Sequence, residues 1–145
     1  MKKLILSVLF MSIAGLSGFA SAGGGRVLLA GGENAVYSPD GTRLAFQKKR
    51  GVFFDIGVLE LATGDVTWVS EGAGNAIFPT WTPKGELVYV YGNDTNTSYA
   101  AWHTGSKDGY NLYLFDKGHV RQLTRGRWRD STPSVAADGT VYFAR

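Results

Sequence analysis

Few side chains of this sequence are suited to catalysis. The chain has no cysteine and only two histidines, His103 and His119, so it offers no thiol nucleophile and no Cys-ligated zinc site. The two histidines do not form a His-x-x-x-His zinc motif, and no Gly-x-Ser-x-Gly nucleophile elbow occurs. We therefore predict no catalytic, cofactor-binding or metal-binding residue in this chain, and no enzymatic activity of its own.

A polar segment at residues 93–98 alternates oxygen-bearing side chains, as a calcium-binding loop does. It lacks the central glycine and the terminal bidentate glutamate of such a loop. A polar connecting loop is the favoured interpretation. The surrounding residues 92–109 form the longest predicted loop and carry Tyr99 and Trp102, which we predict as candidates for recognition because loops on a rigid scaffold often carry function.

A cluster of basic residues lies near the C-terminus of the chain. Arg125, Arg127 and Arg129 would share one face of an extended segment, with Trp128 between them. Such a face is suited to hold an acidic peptide or a glycan carboxylate. The alternative is a solvated connecting loop that binds nothing.

The N-terminus has the three parts of a secretory signal peptide. Lys2 and Lys3 precede an apolar run at residues 4–16, and Ala20-Ser21-Ala22 provides small residues before Gly23. The alternative is a membrane anchor, but the apolar run of about 13 residues is shorter than the roughly 20 that cross a bilayer. The pattern predicts a signal peptide at 1–22, cleavage between Ala22 and Gly23, and a periplasmic or secreted chain that does not span the membrane.

The charge of the whole chain is misleading about its partners. The formal net charge is +3, but Lys2 and Lys3 belong to the predicted signal peptide and no acidic residue precedes Gly23. Without the signal peptide, 13 basic residues face 12 acidic residues. This near balance argues against a nucleic-acid partner, and the 44% apolar content is enough for a packed core.

A turn motif recurs three times along the chain. Its glycines are spaced by 44 and 54 residues, and each turn lies between an apolar residue and a β-rich run. Proline presets φ, aspartate bonds to the backbone nearby and glycine takes the positive φ, so each motif predicts a β-hairpin. The motif residues are Ser38, Pro39, Asp40 and Gly41; Pro83 and Gly85; and Asp138 and Gly139.

Two further strand pairs lie between these hairpins. Residues 55–61 and 66–70 form the first pair, and residues 111–115 and 119–124 form the second. Each repeat therefore contains four short strands. Four antiparallel strands that recur every ~40 to 50 residues are typical of a propeller blade, and a sandwich of meandering hairpins is the alternative.

The motifs resemble the WD-like repeats of the TolB-type β-propellers. The likeness covers nearly all of the chain after the signal peptide, although Lys84 and Ala137 stand where the repeat has Asp and Pro. The resemblance implies a non-enzymatic module that mediates protein–protein interaction in the periplasm or cell envelope. The alternative function is the propeller portion of an exported prolyl-oligopeptidase-type peptidase or other hydrolase. The resembling segments are Ser38-Pro39-Asp40-Gly41 with Leu44-Ala45-Phe46, Asp55-Ile56 with Val58, and residues 120–124 followed by Asp130 and Pro133.

The predicted fold is all-β, an open partial propeller that follows a signal peptide. Within residues 23–145 we predict a strand at 26–30, blades at 34–70 and 78–124, and a half-blade at 132–145. Propellers have 4 to 8 blades, so we expect this chain to be a piece of a longer protein or one of several copies that assemble a ring. We predict a protein partner and self-association through open blade edges.

Overall fold

The computed structural model describes residues 29–93 and 109–145. The chain divides into two compact units, Met1–Ala30 and Gly31–Arg145, and every described strand belongs to the second. The predicted signal peptide with its predicted cleavage site, residues 26–28 of the predicted first strand, Tyr99, Trp102 and His103 lie outside the described residues. Leu29 and Ala30, the end of that predicted strand, form a bend and a turn.

Ten β-strands, and no helix, are present in the two described ranges. Their lengths of three to eight residues are those expected of tight hairpins. The strands are β1 (Gly32–Tyr37), β2 (Arg43–Arg50), β3 (Phe53–Glu60), β4 (Val66–Trp68), β5 (Asn75–Trp81), β6 (Leu87–Gly92), β7 (Asn111–Asp116), β8 (His119–Gln122), β9 (Ser131–Val135) and β10 (Val141–Ala144).

The strands form three antiparallel sheets, in the order of the sequence. We call them blade 1 (β1-β2-β3-β4), blade 2 (β5-β6-β7-β8) and blade 3 (β9-β10). Every neighbouring pair is antiparallel. The structure confirms the predicted all-β fold of four-stranded antiparallel blades in an open, partial propeller.

The three repeat turns share one backbone geometry. Each motif glycine has a positive φ, and its N–H donates to the carbonyl oxygen three residues earlier at 2.9 Å. Lys84 and Ala137 leave this geometry in place, because it depends on the glycine rather than on the residues before it. The bonded pairs are Ser38–Gly41, Thr82–Gly85 and Ala136–Gly139.

A second repeated feature lies within the first strand of each blade. Asn34, Phe78 and Thr132 have positive φ values of 49°, 54° and 44°, and each precedes its motif glycine by seven positions. The pairing register shifts beside each of them, so each marks a β-bulge. Because a bulge bends its strand, the first strand of every blade bends at the same point.

Blades 1 and 2 pack face to face through an apolar core. Ile56 and Val58 of blade 1 contact the same cluster as Leu87 and Tyr89 of blade 2. Trp81 adds a polar tie, because its Nε1 donates to the carbonyl oxygen of Val36 at 3.0 Å. The opposite face of blade 2 carries the second core, formed by Ile77, Val90, Tyr110 and Leu112, with Leu123 and with Val141 of blade 3 packed against it.

A buried carboxylate fixes the connection from blade 1 to blade 2. Asp55 is 1% exposed and accepts hydrogen bonds from the Ser70 hydroxyl and the Gly72 amide, both at 2.9 Å. The Ser70 hydroxyl oxygen accepts in turn from the Ile56 amide at 3.1 Å, and Arg50 lies 3.4 Å from the carboxylate. Burial of a charge requires such partners, so these donors hold the loop after β4 against β3.

The first repeat turn contains an exposed carboxylate that stabilises it. Asp40 accepts from the Ser38 hydroxyl at 2.6 Å and from the Thr42 amide at 3.1 Å. The Ser38 hydroxyl, followed by the Thr42 donors, lowers the pKa of Asp40 from 3.8 to about 2. Since the folded-state pKa is depressed, the ionised carboxylate stabilises the turn above pH 3.8, and this contribution is lost as the pH falls through about 2.

We predict that Ser38→Ala raises the pKa of Asp40 toward 3.8, because it removes the donor with the largest effect. The measurement is an NMR titration of the Asp40 carboxyl carbon. Asp138 provides an internal control: Ala136 stands in its turn where Ser38 stands in the first, and the Thr140 donors lower its pKa. The Asp138 titration should not move, and an unchanged Asp40 titration would contradict the role assigned to Ser38.

Candidate functional site

A cleft of about 520 Å³ lies at one end of blade 2. It is framed by the ends of the β6–β7 connection and by the β8–β9 connection. Its volume is in the range of ligand sites in proteins, roughly 300–1,000 Å³. We call it the blade-2 cleft; it is lined by Tyr91, Gly92, Asn93, Gly109, Asn111, Tyr113, Gln122, Arg125, Gly126 and Arg127.

A row of side chains across three strands forms the wall of the blade-2 cleft. Tyr91 of β6 pairs with Asn111 of β7, and Tyr113 of β7 pairs with Gln122 of β8. Directly opposed residues of antiparallel strands project on the same face, as do residues two apart on one strand. The alternation of the strands therefore places all four side chains on one face of the sheet.

The aromatic part of this wall is packed and uncharged. Tyr91 and Tyr113 meet edge to face with ring centroids 5.5 Å apart, and Tyr113 stacks on Tyr89 at 6.0 Å. Burial raises the pKa of Tyr89 to about 12, and burial also raises the pKa of Tyr91. The Tyr91 hydroxyl donates to Oδ1 of Asn93 at 3.0 Å. This hydrogen bond and the ring contacts fix the aromatic side of the cleft.

Asn111 joins the two connections that frame the cleft. Its Nδ2 donates to the carbonyl oxygens of Gly109 and Gly126, at 3.3 Å each. Gly109 passes so close to the other connection that a Cβ on it would lie 2.5 Å from the carbonyl oxygen of Trp128. Any side chain there would push the two connections apart, which explains the glycine.

A second buried carboxylate closes the β8–β9 connection. Asp130, 0% exposed, accepts from the Thr124 hydroxyl at 2.5 Å and from Arg145 Nε at 2.8 Å. The Leu112 amide donates to the same Thr124 hydroxyl at 2.9 Å, and the hydrogen bond to Asp130 raises the pKa of Arg145. Residues 125–129 are thus held at both ends as a short loop.

Two of the three predicted arginines line the blade-2 cleft together. The segment bends at residues 126–128, with Gly126 at φ 137°, so it is not the extended segment that would align all three. Arg125 and Arg127 are exposed, and within the described residues neither has an ion pair. Among the described residues that line the cleft, two are arginines and none is acidic.

The other predicted interaction residues are placed differently. The Arg129 guanidinium lies 5.5 Å from the ring centroid of Tyr110, and a bridge pairs the two residues, so Arg129 belongs to the packing between blades. Trp128 is 65% exposed at the tip of the loop. The binding roles of Arg125, Arg127, Trp128 and Arg129 stay predictions.

The described residues contain no arrangement suited to metal chemistry. No group of three or more His, Asp or Glu side chains in the described ranges is placed to hold a metal ion. His119 begins β8 as an exposed residue opposite Asp116. Across the same ranges, no helix has the length and apolar character needed to cross a membrane.

Solved structures share this arrangement of blades. A protein described as a TolB from Agrobacterium tumefaciens matches 74% of this chain with 22% identity and a TM-score of 0.59. TolB from Acinetobacter baumannii matches 77% with 22% identity and a TM-score of 0.55. The tricorn protease matches 77% with 16% identity and a TM-score of 0.58.

The fold is part of a TolB-like β-propeller. The chain spans 35% and 26% of the two TolB chains and 11% of the tricorn protease. No protein-family model and no curated protein matches the sequence. The likeness therefore lies in the propeller fold, and the function must be argued from the blade-2 cleft.

Most of the polar residues that line the blade-2 cleft were not predicted from the sequence. Asn93, Asn111 and Gln122 are far apart in the sequence, and the pairing of β6, β7 and β8 brings them together. One signal was available: Asn111 begins β7 and is the polar residue on the strand face that also carries Tyr113 and Phe115. A polar residue at such a position indicates a structural or binding role.

We predict that Asn111→Ala lowers the free energy of unfolding by about 1 kcal/mol, because it removes the donor shared by two loop carbonyls. Urea denaturation followed by tryptophan fluorescence measures the change. The matched control is Gln122→Ala, which lines the same cleft and should cost less, since no side-chain hydrogen bond holds Gln122 in the described part of the chain. Equal losses in both variants would contradict this role of Asn111.

Proposed function

We propose that this chain is exported and serves as a non-enzymatic propeller module that binds another protein in the periplasm or cell envelope. The single observation that carries the proposal is the blade-2 cleft, where Arg125 and Arg127 lie together without a described acidic partner. Arginine is enriched in protein interfaces because its planar fork binds carboxylates and stacks on aromatic rings. The exposed Trp128 beside this pair adds a residue type that is typical of interface hot spots.

A second candidate function is the propeller portion of an exported hydrolase. The structural match to the tricorn protease, which is named as a protease, supports this alternative. Reading the gene beyond the codon for Arg145 separates the two proposals. A Gly-x-Ser-x-Gly elbow in a following domain would favour the hydrolase, whereas further blades and then a stop codon would favour the binding module.

Export predicts a processed chain. When the gene is expressed in a bacterial host, the periplasmic fraction should contain a chain whose first residue is Gly23, as determined by N-terminal sequencing. Ala22→Arg places a large charged residue where the cleavage site requires a small one and should leave the precursor uncleaved. The control is Gly23→Ala, which keeps a small residue beside the cleavage site and should be processed normally.

A wild-type chain that stays unprocessed in the cytoplasm would overturn the export proposal. The result would not affect the proposed binding surface, which is tested separately.

Protein binding predicts a site-specific crosslink. With a photoreactive phenylalanine analogue in place of Trp128, irradiation of intact cells should yield an adduct with a different protein. The matched control is Tyr37, an aromatic residue that is similarly exposed (62% against 65% for Trp128) but lies on blade 1. It should yield no such adduct.

No adduct at Trp128, or the same adduct at both positions, would contradict binding at the blade-2 cleft. An adduct with a second copy of the chain would instead identify self-association through open blade edges. Among the strands that the structure describes, β10 pairs only with β9, and it exposes Tyr142. This free edge supports that second mode.

A further inference from the structure

Among the described strands, the outer edge of blade 2 is open along β8. In that part of the chain β8 is the last strand of its sheet and pairs only with β7. The backbone groups on the outer side of such a strand can pair with an added strand. Val120 of β8 is 52% exposed and projects on the same face as Gln122, two residues further along.

The outer edges of blades 1 and 2 have equivalent positions. Ser70 follows β4 and Thr124 follows β8, and the hydroxyl oxygen of each accepts from an amide of the third strand of its blade, at 3.1 Å from Ile56 and 2.9 Å from Leu112. Counted from these two residues, positions 63–73 of blade 1 correspond to positions 117–127 of blade 2.

The charges of these two equivalent edges are opposite. Residues 63–73 contain Asp65 and Glu71 and no lysine or arginine. Residues 117–127 contain four basic residues and no acidic one. The positive charge is therefore specific to the edge of blade 2, and the basic residues are Lys117, Arg121, Arg125 and Arg127.

The blade-2 cleft continues directly from the end of β8. Gln122 is the last residue of the strand and lines the cleft, and Arg125 and Arg127 follow it. A strand added to β8 would extend the sheet of blade 2. On the face that carries Gln122, the side chains of the added strand would lie first beside Val120 and then, further along, beside Arg125 and Arg127. A carboxylate at that point would meet guanidinium groups that bind it through paired hydrogen bonds.

We infer that the chain binds an extended acidic segment of a partner protein, which adds to β8 as a strand and places a glutamate or aspartate carboxylate between Arg125 and Arg127. This inference rests on the proposed function and names the partner chemistry of the same site. The backbone pairing along β8 supplies affinity, the exposed Val120 contacts an apolar side chain, and the arginine pair selects for the acid.

The test uses fluorescein-labelled peptides and the full chain, with fluorescence anisotropy as the measurement. The probe is a short extended peptide with valine and glutamate on one face and threonine on the other. A peptide with glutamine in place of glutamate should bind about tenfold more weakly, because it cannot form the charge-assisted hydrogen bonds. Raising the salt concentration should weaken the acidic peptide more than the glutamine peptide.

The variants Arg125→Ala and Arg127→Ala should each weaken binding of the acidic peptide about tenfold. Lys49→Ala removes one positive charge from an exposed position on blade 1 and should leave binding unchanged. Arg125→Lys keeps the charge without the fork and should bind between the wild type and Arg125→Ala. Circular dichroism confirms that the variants are folded.

Equal binding of the acidic and glutamine peptides, or equal losses in Arg125→Ala and Lys49→Ala, would overturn the arginine pair as the carboxylate site. A peptide with alternate amides N-methylated tests the strand addition: it should lose binding, and unchanged binding would overturn pairing with β8. Absence of peptide binding together with a crosslink at Trp128 would reject the acidic segment while leaving the proposed function in place. Absence of both would reject the two together.

Discussion

Blade 2 is apolar on both faces, and neither face can be buried within its own sheet. Leu87 and Tyr89 of β6 project toward blade 1, whereas Val90 of the same strand projects into the second core, where Val141 of blade 3 packs. A single antiparallel sheet normally keeps one face polar and in contact with water. Face-to-face packing of successive blades is therefore the requirement on which the rest of the structure depends, and it explains why a repeat of short strands forms a stable core.

Packing alone does not set the path from one blade to the next. Two buried carboxylates fix that path: Asp55 lies in β3, and Asp130 lies just before β9. Asp55 holds the loop after Ser70 from its own blade, whereas Asp130 holds Thr124 from the first residues before blade 3. The hydroxyl groups of Ser70 and Thr124 occupy equivalent positions in the two repeats. Their carboxylate partners do not, because Asp55 precedes its connection in the sequence and Asp130 lies at the end of its own.

The second of these clusters also shapes the candidate site. Because Thr124 and Asp130 are bonded across the base of the β8–β9 connection, the residues between them are confined to a short loop. Asn111 ties that loop to the β6–β7 connection. The arginine pair is thus presented by a loop fixed to the scaffold at three points, which reduces the entropy that a partner must remove on binding.

Much of the fold was readable from the sequence, because it is set by local chemistry. The glycines of the three turns specify a positive φ that few other residues adopt, and the alternation of strands two residues apart specifies which side chains share a face. The order of turns and strands therefore predicted four-stranded antiparallel blades. The bulges at Asn34, Phe78 and Thr132 were not readable, since Phe and Thr rarely adopt a positive φ and the register of the neighbouring strand decides where the bulge lies.

The candidate site, like the fold, was predictable from the sequence only in part. The sequence by itself determined that basic residues cluster at 125–129 and that the chain contains no cysteine, no Gly-x-Ser-x-Gly motif and no His-x-x-x-His motif. Only the tertiary structure decided that Arg125 and Arg127 join Asn111 and Gln122 in one cleft while Arg129 turns to the ring of Tyr110. The physical reason is that strand pairing and the Thr124–Asp130 hydrogen bond act between residues distant in the chain or across a bend, and no local pattern records them.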